Sequence, residues 1–211
     1  MAISAPTMSP AEAKARYDEQ GYLTYPTMLD RSEVAVLRSA LNELLDEASR
    51  VPQDASGLAG KDALTTSDKF SFTMSSTGER HVRRIFNPIA HHQAFMDLVH
   101  HDRILDAVEN LIGPNIAIHH TKLNLKPPAS QNARFEWHQD YPFFPHTNYD
   151  LIAVAVHIDE STEENGCLRV IPGAHKLGPL VHKFAADGAF SSQIADQSAI
   201  PDSSRWVNGR R

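Results

Sequence analysis

The pattern of apolar residues changes its period near residue 113, and this change is what most constrains the fold. Before it, apolar residues recur at spacings of three and four, which is typical of amphipathic helices. One such stripe comprises Val34, Leu37, Leu41, Leu44 and Ala48. After it, the run from Lys122 to Lys126 alternates polar and apolar residues, as a half-buried strand does. Helices first and strands later predict an α+β fold or a barrel with flanking helices.

Local signals set the limits of the helices. We expect a short helix from Pro10 to Gly21, and a second one that begins with the capping box from Asp30 to Glu33. A third helix should run over about 102–112 and end at Gly113. Residues 50–78 are rich in Pro, Gly, Ser and Thr and show little periodicity, so they predict a long surface loop.

The later part of the chain contains the expected strands. Leu151 to Ile158 is a continuous apolar run, which predicts a buried strand. Asn165-Gly166 predicts a turn, followed by a strand from Cys167 to Ile171. From about residue 184 the chain is rich in Ala, Ser, Asp and Gln, and we expect a loop or disordered tail. The organisation is therefore a single domain over 1–211, with a helical part to about 113 and a β part over about 114–183.

The charge and the cysteine count limit the classes of function. The net charge of -6 argues against a nucleic-acid binder that relies on phosphate neutralisation. The one cysteine fits a reducing compartment, and no apolar segment of a secretory signal is visible near the start. No stretch approaches the length of a membrane-spanning helix, so we expect no membrane partner. Together these features favour a cytoplasmic protein.

Two potential metal ligands are spaced two residues apart in the run Trp137-His138-Gln139-Asp140. On an extended strand, residues two apart point to the same side, with their backbones about 7 Å apart. An imidazole and a carboxylate suit Fe(II), which takes a second histidine to complete a facial triad and keeps positions open for substrate and oxygen. A His-x-Asp pair also arises by chance in many chains, so the spacing alone does not establish a metal site.

The surroundings of this pair resemble the phytanoyl-CoA dioxygenase family over about residues 15–183. The order and the spacing of several short motifs both fit that family. The motifs are Gln20-Gly21-Tyr22-Leu23, Gly113-Pro114-Asn115-Ile116, Lys126-Pro127-Pro128, Trp137-His138-Gln139-Asp140, Phe143-Phe144-Pro145, Asp150-Leu151, Glu163-Glu164-Asn165-Gly166-Cys167-Leu168 and Ile171-Pro172-Gly173-Ala174-His175-Lys176.

The resemblance implies a mainly β fold with flanking helices: a double-stranded β-helix, which is a jelly-roll or cupin-like barrel. It also implies Fe(II) as the metal and 2-oxoglutarate as the cosubstrate, with His138 and Asp140 as metal ligands. Lys122 and Asn124 match a strand that supplies cosubstrate contacts, and Arg84 matches a basic cosubstrate contact. The alternative for the polar face of that strand is a solvated surface.

Three further residues are candidates for the substrate pocket. Trp137 adjoins the first ligand, Val156 falls where the family has a pocket-lining residue, and His146 is close to the site in sequence. Core packing is an equally simple explanation for Trp137 and Val156. His175 is better explained as a hydrogen-bonded histidine than as a ligand.

One part of the family pattern is missing after Asp140. The family has a second histidine ligand on a late strand, and about ten residues later an arginine that binds 2-oxoglutarate, whereas no histidine follows His182. We therefore expect a barrel that lacks its C-terminal strands, with exposed edges that favour a homo-oligomer or instability. Three explanations stay open: a truncated chain, a degenerate homologue, or completion of the site by His157, His175 or His182.

The resemblance implies a dioxygenase that hydroxylates a small organic substrate with O2 and releases succinate and CO2. The alternative is a truncated or degenerate, non-catalytic binding protein on the same fold. A zinc hydrolase is a third hypothesis, because zinc accepts the same ligands. It is disfavoured because the sequence contains no His-Glu-x-x-His motif.

Overall fold

The computed structural model describes residues 8–52, 65–66, 69–127, 136–144, 146–148, 150–183, 193–201 and 206–208. The described residues divide into two compact units. The first unit comprises Met1–Met28, Asp106–Ile116 and Phe135–Arg211, and the second comprises Leu29–Leu105 and Ala117–Arg134. The single domain expected from the sequence stays a prediction. In the described part of the chain, no helix is both long and apolar enough to cross a membrane.

Two helices of the second unit pack against each other. Helix α2 (Arg31–Ser49) begins with the predicted capping box, in which the Asp30 carboxylate accepts the Glu33 N–H at 2.9 Å. Helix α3 (Gln93–Val99) packs on α2 and was not predicted. The buried side of α2 matches the apolar stripe closely. Its buried residues are Leu37, Ala40, Leu41, Leu44 and Ala48, and Val34 is half-buried.

The second unit also contains a four-stranded antiparallel sheet. Its strands are β1 (Thr65–Thr66), β2 (Phe70–Met74), β3 (Arg80–Phe86) and β4 (Lys122–Asn124), hydrogen-bonded in that order. The prediction of a surface loop over 50–78 is therefore wrong for β2, whose Phe70 and Phe72 are 2% and 3% exposed. Pairing with β3 satisfies the backbone of β2, so this Ser- and Thr-rich segment enters the core.

Helices begin and end as expected in the first unit. Helix α1 (Pro10–Gln20) ends at Gly21, which adopts φ 80°. Helix α4 (Asp102–Ile112), most of whose residues belong to this unit, is followed by Gly113 at φ 88°. The left-handed conformation at both positions explains why glycine ends each helix.

The segment 173–175 docks on the end of α1. The Gly173 N–H donates to the Gln20 carbonyl at 2.8 Å, and the His175 Nε2–H donates to the Asp18 carbonyl at 3.1 Å. A Cβ atom at Gly21 would collide with the His175 ring. His175 is therefore a hydrogen-bonded structural histidine, as its sequence context indicated.

Short strands of the first unit form two pairs. Strand β5 (Arg169–Val170) pairs with β8 (Val207–Asn208), and β6 (His182–Lys183) pairs with β7 (Gln193–Ile194), both antiparallel. Strands β7 and β8 lie in the tail expected to be a loop or disordered, so that expectation is wrong for these residues. Their partners are β5 and β6, and pairing of this kind between distant segments is not visible in the local composition of the tail.

The apolar run from Leu151 to Ile158 differs most from its prediction. It is not assigned as a strand, and Val154 is 53% exposed. An apolar strand is buried only when other elements pair with it and cover it. The described part of the chain contains no ladder partner for this run, so its apolar side chains stay exposed or half-buried.

Candidate functional site

The His138-Gln139-Asp140 run does not lie on a strand. The expectation of an extended strand is therefore wrong at this point: Asp140 has φ −74° and ψ −30° and precedes a short 3-10 turn, Tyr141–Phe143. Pro142 lies in the first turn of that element, and its fixed φ suits such a turn. The two candidate ligands are thus presented by an irregular segment.

The side chains of His138 and Asp140 nevertheless converge, and they are called the donor pair below. The distance from His138 Nε2 to Asp140 Oδ1 is 3.5 Å. The side chains are 31% and 46% exposed, so the pair is accessible from outside the protein. A separation of 3.5 Å allows one cation to lie within about 2.1 Å of both atoms. The geometry of the pair fits one shared cation.

A hydrogen bond sets the tautomer of His138. Its Nδ1–H donates to the Glu136 carbonyl at 2.7 Å. The neutral ring then carries its lone pair at Nε2, which is the atom nearer to Asp140. Metal-binding histidines commonly donate their other ring N–H to a carbonyl or carboxylate in this way, which orients the ring. The donor set therefore suits a first-row divalent cation such as Fe(II).

Among the described residues, no third protein ligand lies near the pair. No group of three His, Cys, Asp or Glu side chains that could hold a metal ion occurs among the residues the structure describes. His175 donates to Asp18, and both ring nitrogens of His182 take part in hydrogen bonds. His157 lies in the exposed part of the 151–158 run. Among the described residues, the structure thus brings together two candidate ligands of a facial triad, His138 and Asp140, and no third.

Gln139 makes a set of hydrogen bonds that the sequence did not reveal. Its side-chain Nε2–H donates to the Gly178 carbonyl at 2.9 Å, and its Oε1 accepts the Leu180 N–H at 2.7 Å. Its backbone N–H donates to His182 Nε2 at 2.9 Å. The partners lie about 40 residues further along the chain, so no local motif could have indicated them.

The three cosubstrate candidates lie on neighbouring strands of the second unit. Arg84 on β3 is directly opposite Asn124 on β4, and Phe86 is opposite Lys122. Directly paired residues share a face of the sheet, and so do residues two apart, so these four share one face. Lys122 and Asn124 are exposed, which also agrees with the alternative of a solvated surface.

Arg84 is a buried cation. It is 6% exposed, and its partner on β2 is Ser71, which is 1% exposed. Burial, together with the neighbouring charge of Arg83, lowers the pKa of Arg84 to about 10. The guanidinium stays charged near neutral pH, and its planar shape matches a carboxylate at two points.

The three pocket candidates are all half-buried. Trp137 is half-buried, and its carbonyl accepts the Ile194 N–H at 3.0 Å. His146 is half-buried, and its carbonyl accepts the Tyr141 hydroxyl at 2.8 Å. Val156 is half-buried within the 151–158 run. Their assignment to a substrate pocket stays a prediction.

A second polar cluster lies in the second unit, at the start of α2. Glu33 binds Arg103 at 2.7 Å and His101 at 3.0 Å, in a shallow concavity that is also lined by His100 and Asp102. The pKa of Glu33 is lowered, first by the hydrogen bond from the Asp30 backbone and then by the one from His101. Through Glu33, the cluster links the first turn of α2 to His101 and Arg103.

Comparison with known proteins gives one family and several relatives. The sequence model of the phytanoyl-CoA dioxygenase family matches residues 17–209. A probable alpha-ketoglutarate-dependent hypophosphite dioxygenase of Stutzerimonas stutzeri is 29% identical over 94% of this chain and 66% of its own length.

Two further relatives have other names. An ectoine dioxygenase of Streptomyces anulatus is 25% identical over 83% of this chain and 54% of its own length. An L-proline trans-4-hydroxylase of Streptomyces griseoviridis is 27% identical over 84% of this chain and 59% of its own length. The chain thus spans between about half and two thirds of the length of these relatives.

Proposed function

Because this chain belongs to the phytanoyl-CoA dioxygenase family, we propose that it acts as an Fe(II)- and 2-oxoglutarate-dependent dioxygenase. The reaction inserts one atom of O2 into a C–H bond of a small organic substrate. The other oxygen atom enters succinate, as 2-oxoglutarate loses CO2. The relatives named for 2-oxoglutarate dependence and for hydroxylation support this reaction class.

The convergence of His138 Nε2 and Asp140 Oδ1 at 3.5 Å carries the proposal. These two side chains would hold the iron, and the Glu136 carbonyl keeps His138 in the tautomer that binding needs. Bound Fe(II) would supply open coordination positions for O2 and cosubstrate. The exposed fractions of the pair leave room for such molecules to approach.

Arg84 is the residue we assign to a carboxylate of 2-oxoglutarate. Its buried guanidinium supplies a positive charge with little competing water, which strengthens a bidentate bond to a carboxylate. Asn124, directly opposite on β4, and Lys122 on the same face would add an amide and a second positive charge.

The substrate is proposed to be a small polar molecule. The names of the relatives include hypophosphite, ectoine and L-proline, all small and polar, and a further relative is a 2-aminoethylphosphonate dioxygenase that is 36% identical over half of this chain. Trp137, His146 and Val156 are the proposed pocket residues. We further propose that the antiparallel sheets belong to a double-stranded β-helix, the barrel that the family resemblance implies.

The proposal is tested by the conversion of 2-oxoglutarate to succinate by the folded chain, with and without added Fe(II). We expect Fe(II)-dependent succinate formation that is lost in His138→Ala and in Asp140→Ala. A folded chain that forms no succinate would support a non-catalytic binding protein instead. Succinate formation that both variants retain would exclude the donor pair as the iron site.

A further inference from the structure

The residue between the two candidate ligands is held at three of its atoms. The backbone N–H of Gln139 binds His182, its amide nitrogen binds the Gly178 carbonyl, and its amide oxygen binds the Leu180 N–H. We call these three hydrogen bonds the Gln139 clamp. They fix the backbone of Gln139 and the direction of its side chain together.

His182 can serve the clamp only as a neutral ring. It is buried, with 9% of its surface exposed, and its Nδ1–H donates to the Leu180 carbonyl at 2.8 Å. This leaves Nε2 without a proton, so it accepts the Gln139 N–H at 2.9 Å. Since both ring nitrogens are used, His182 acts on the backbone of the run and not on a metal.

The clamp is anchored in paired strands. His182 begins β6 and lies opposite Ile194 on β7. The Ile194 N–H donates to the Trp137 carbonyl at 3.0 Å, so the residue before the donor pair is tied to the same strands. The phenyl ring of Phe143 makes edge-type contacts with the rings of both His138 and His182, at centroid distances of 6.2 Å and 6.4 Å.

The Gln139 clamp restrains the backbone of the run in the way that the hydrogen bonds of a regular strand would. The donor pair lies on an irregular segment, and in the described part of the chain this segment is not assigned to any strand. The fixed residue lies between them in sequence, and each donor is one peptide unit from a restrained backbone. Residues that orient metal ligands commonly contribute tenfold or more to metal affinity.

We propose that Gln139 and His182 are positioning residues, which hold His138 and Asp140 at the separation that one divalent cation requires. The proposal rests on the proposed iron-binding function of the donor pair. Neither residue contacts the reacting atoms; both act through the backbone of the run.

The test is a titration of the full chain with Co(II) alone, followed by the visible absorption of the bound ion. Gln139→Met keeps the length of the side chain and removes both amide bonds, so we expect the Co(II) dissociation constant to rise about tenfold or more. The Gln139→Glu variant keeps an acceptor for the Leu180 N–H. We therefore expect its dissociation constant for Co(II) to lie between those of the wild type and Gln139→Met. Equal affinity of wild type and Gln139→Met would overturn the proposal.

Asn165→Ala is the matched control. The Asn165 amide also accepts a backbone N–H, from Thr162 at 2.7 Å, and donates to a backbone carbonyl, that of Glu160 at 2.7 Å. The Asn165→Ala variant loses the same two kinds of hydrogen bond as Gln139→Met, but in a turn outside the 136–140 run. We expect unchanged Co(II) affinity. A loss equal to that of Gln139→Met would mean a general loss of structure and would contradict a positioning role.

A second readout needs no metal. Long-range ¹H–¹⁵N spectra of the metal-free protein report the tautomer of His138, which is Nδ1–H in the wild type. In Gln139→Met, we expect this signature to shift toward a mixture of tautomers. If the wild type binds no Co(II), the proposed function fails, but these spectra still decide the role of Gln139: an unchanged tautomer in Gln139→Met overturns it.

Discussion

Two of the arginines on strand β3 have different roles: Arg80 is half-buried and Arg84 is buried. Arg80 binds the carbonyls of Val51 and Pro52 and lies over the Phe72 ring, so its role is structural. Arg84, at 6% exposure and directly opposite Asn124, is the arginine assigned to the cosubstrate. The two positions make a matched pair for substitution.

We expect Arg84→Gln to raise the KM for 2-oxoglutarate by roughly 10- to 100-fold, because a charge-assisted hydrogen bond contributes about 1.5–3 kcal/mol. Arg84→Lys should fall between wild type and Arg84→Gln, since it keeps the charge and loses the planar fork. Steady-state kinetics with varied 2-oxoglutarate measure both.

The control for Arg84 is Arg80→Gln. It should lower the free energy of unfolding, since its carbonyl partners lose a donor, and leave the KM for 2-oxoglutarate unchanged. Equal KM values for wild type and Arg84→Gln would remove Arg84 from the cosubstrate site.

Helix ends are the elements that the sequence predicted best. Gly21 and Gly113 both follow a helix and both have positive φ, but only Gly21 has a neighbour that a Cβ would strike, the His175 ring. Alanine at either position adopts the left-handed region at a cost of about 1–2 kcal/mol.

We therefore expect Gly21→Ala to destabilise the protein more than Gly113→Ala, because it also displaces His175 from the end of α1. Urea unfolding measures both free energies. A further substitution, His175→Ala, should reduce the excess cost of Gly21→Ala. Equal costs for the two glycine variants would show that the segment 173–175 does not dock as described.

The capping box of α2 predicts a pH dependence. The pKa of Asp30 is lowered, chiefly by the Ser32 hydroxyl, and that of Glu33 is lowered, chiefly by the Asp30 backbone N–H. Both carboxylates therefore stabilise the fold when ionised. This contribution is fully present above their ordinary pKa values of 3.8 and 4.5 and is lost as the pH falls through the lower values of the folded protein.

We expect the free energy of unfolding to fall less steeply with acid in Asp30→Asn than in the wild type, as urea titrations at a series of pH values will measure. Asparagine still caps the helix through its side-chain oxygen, so the two proteins differ mainly in charge. Parallel pH profiles for the two proteins would contradict this account of the capping box.

At the scale of the whole molecule, local signals were predictable and long-range pairing was not. The capping box at Asp30, the glycines after α1 and α4 and the turn at Asn165-Gly166 depend on a few neighbouring residues, and the sequence indicated them correctly. Strand β2 was taken for a loop, and its burial depends on pairing with β3. Similarly, strand β7 could not be predicted from the composition of the tail, because its pairing partner β6 precedes the tail in sequence.

The candidate site shows the same division. The spacing of His138 and Asp140 predicted their convergence, and the structure brings their side chains to 3.5 Å, although on an irregular segment and not on a strand. The Gln139 clamp depends on residues about 40 positions away, which no spacing rule links. Local geometry can be inferred from sequence, but the contacts that hold it in place require the fold.

The most direct test of the proposed iron site is an anaerobic titration of the full chain with Fe(II) in the presence of 2-oxoglutarate, followed by the visible absorption of the complex between Fe(II) and the oxo-acid. We predict saturable binding of one iron per chain, which His138→Ala and Asp140→Ala abolish and which the structural variant His175→Ala retains. Absence of binding by the folded wild type, or binding that survives both substitutions of the donor pair, would contradict the proposed function.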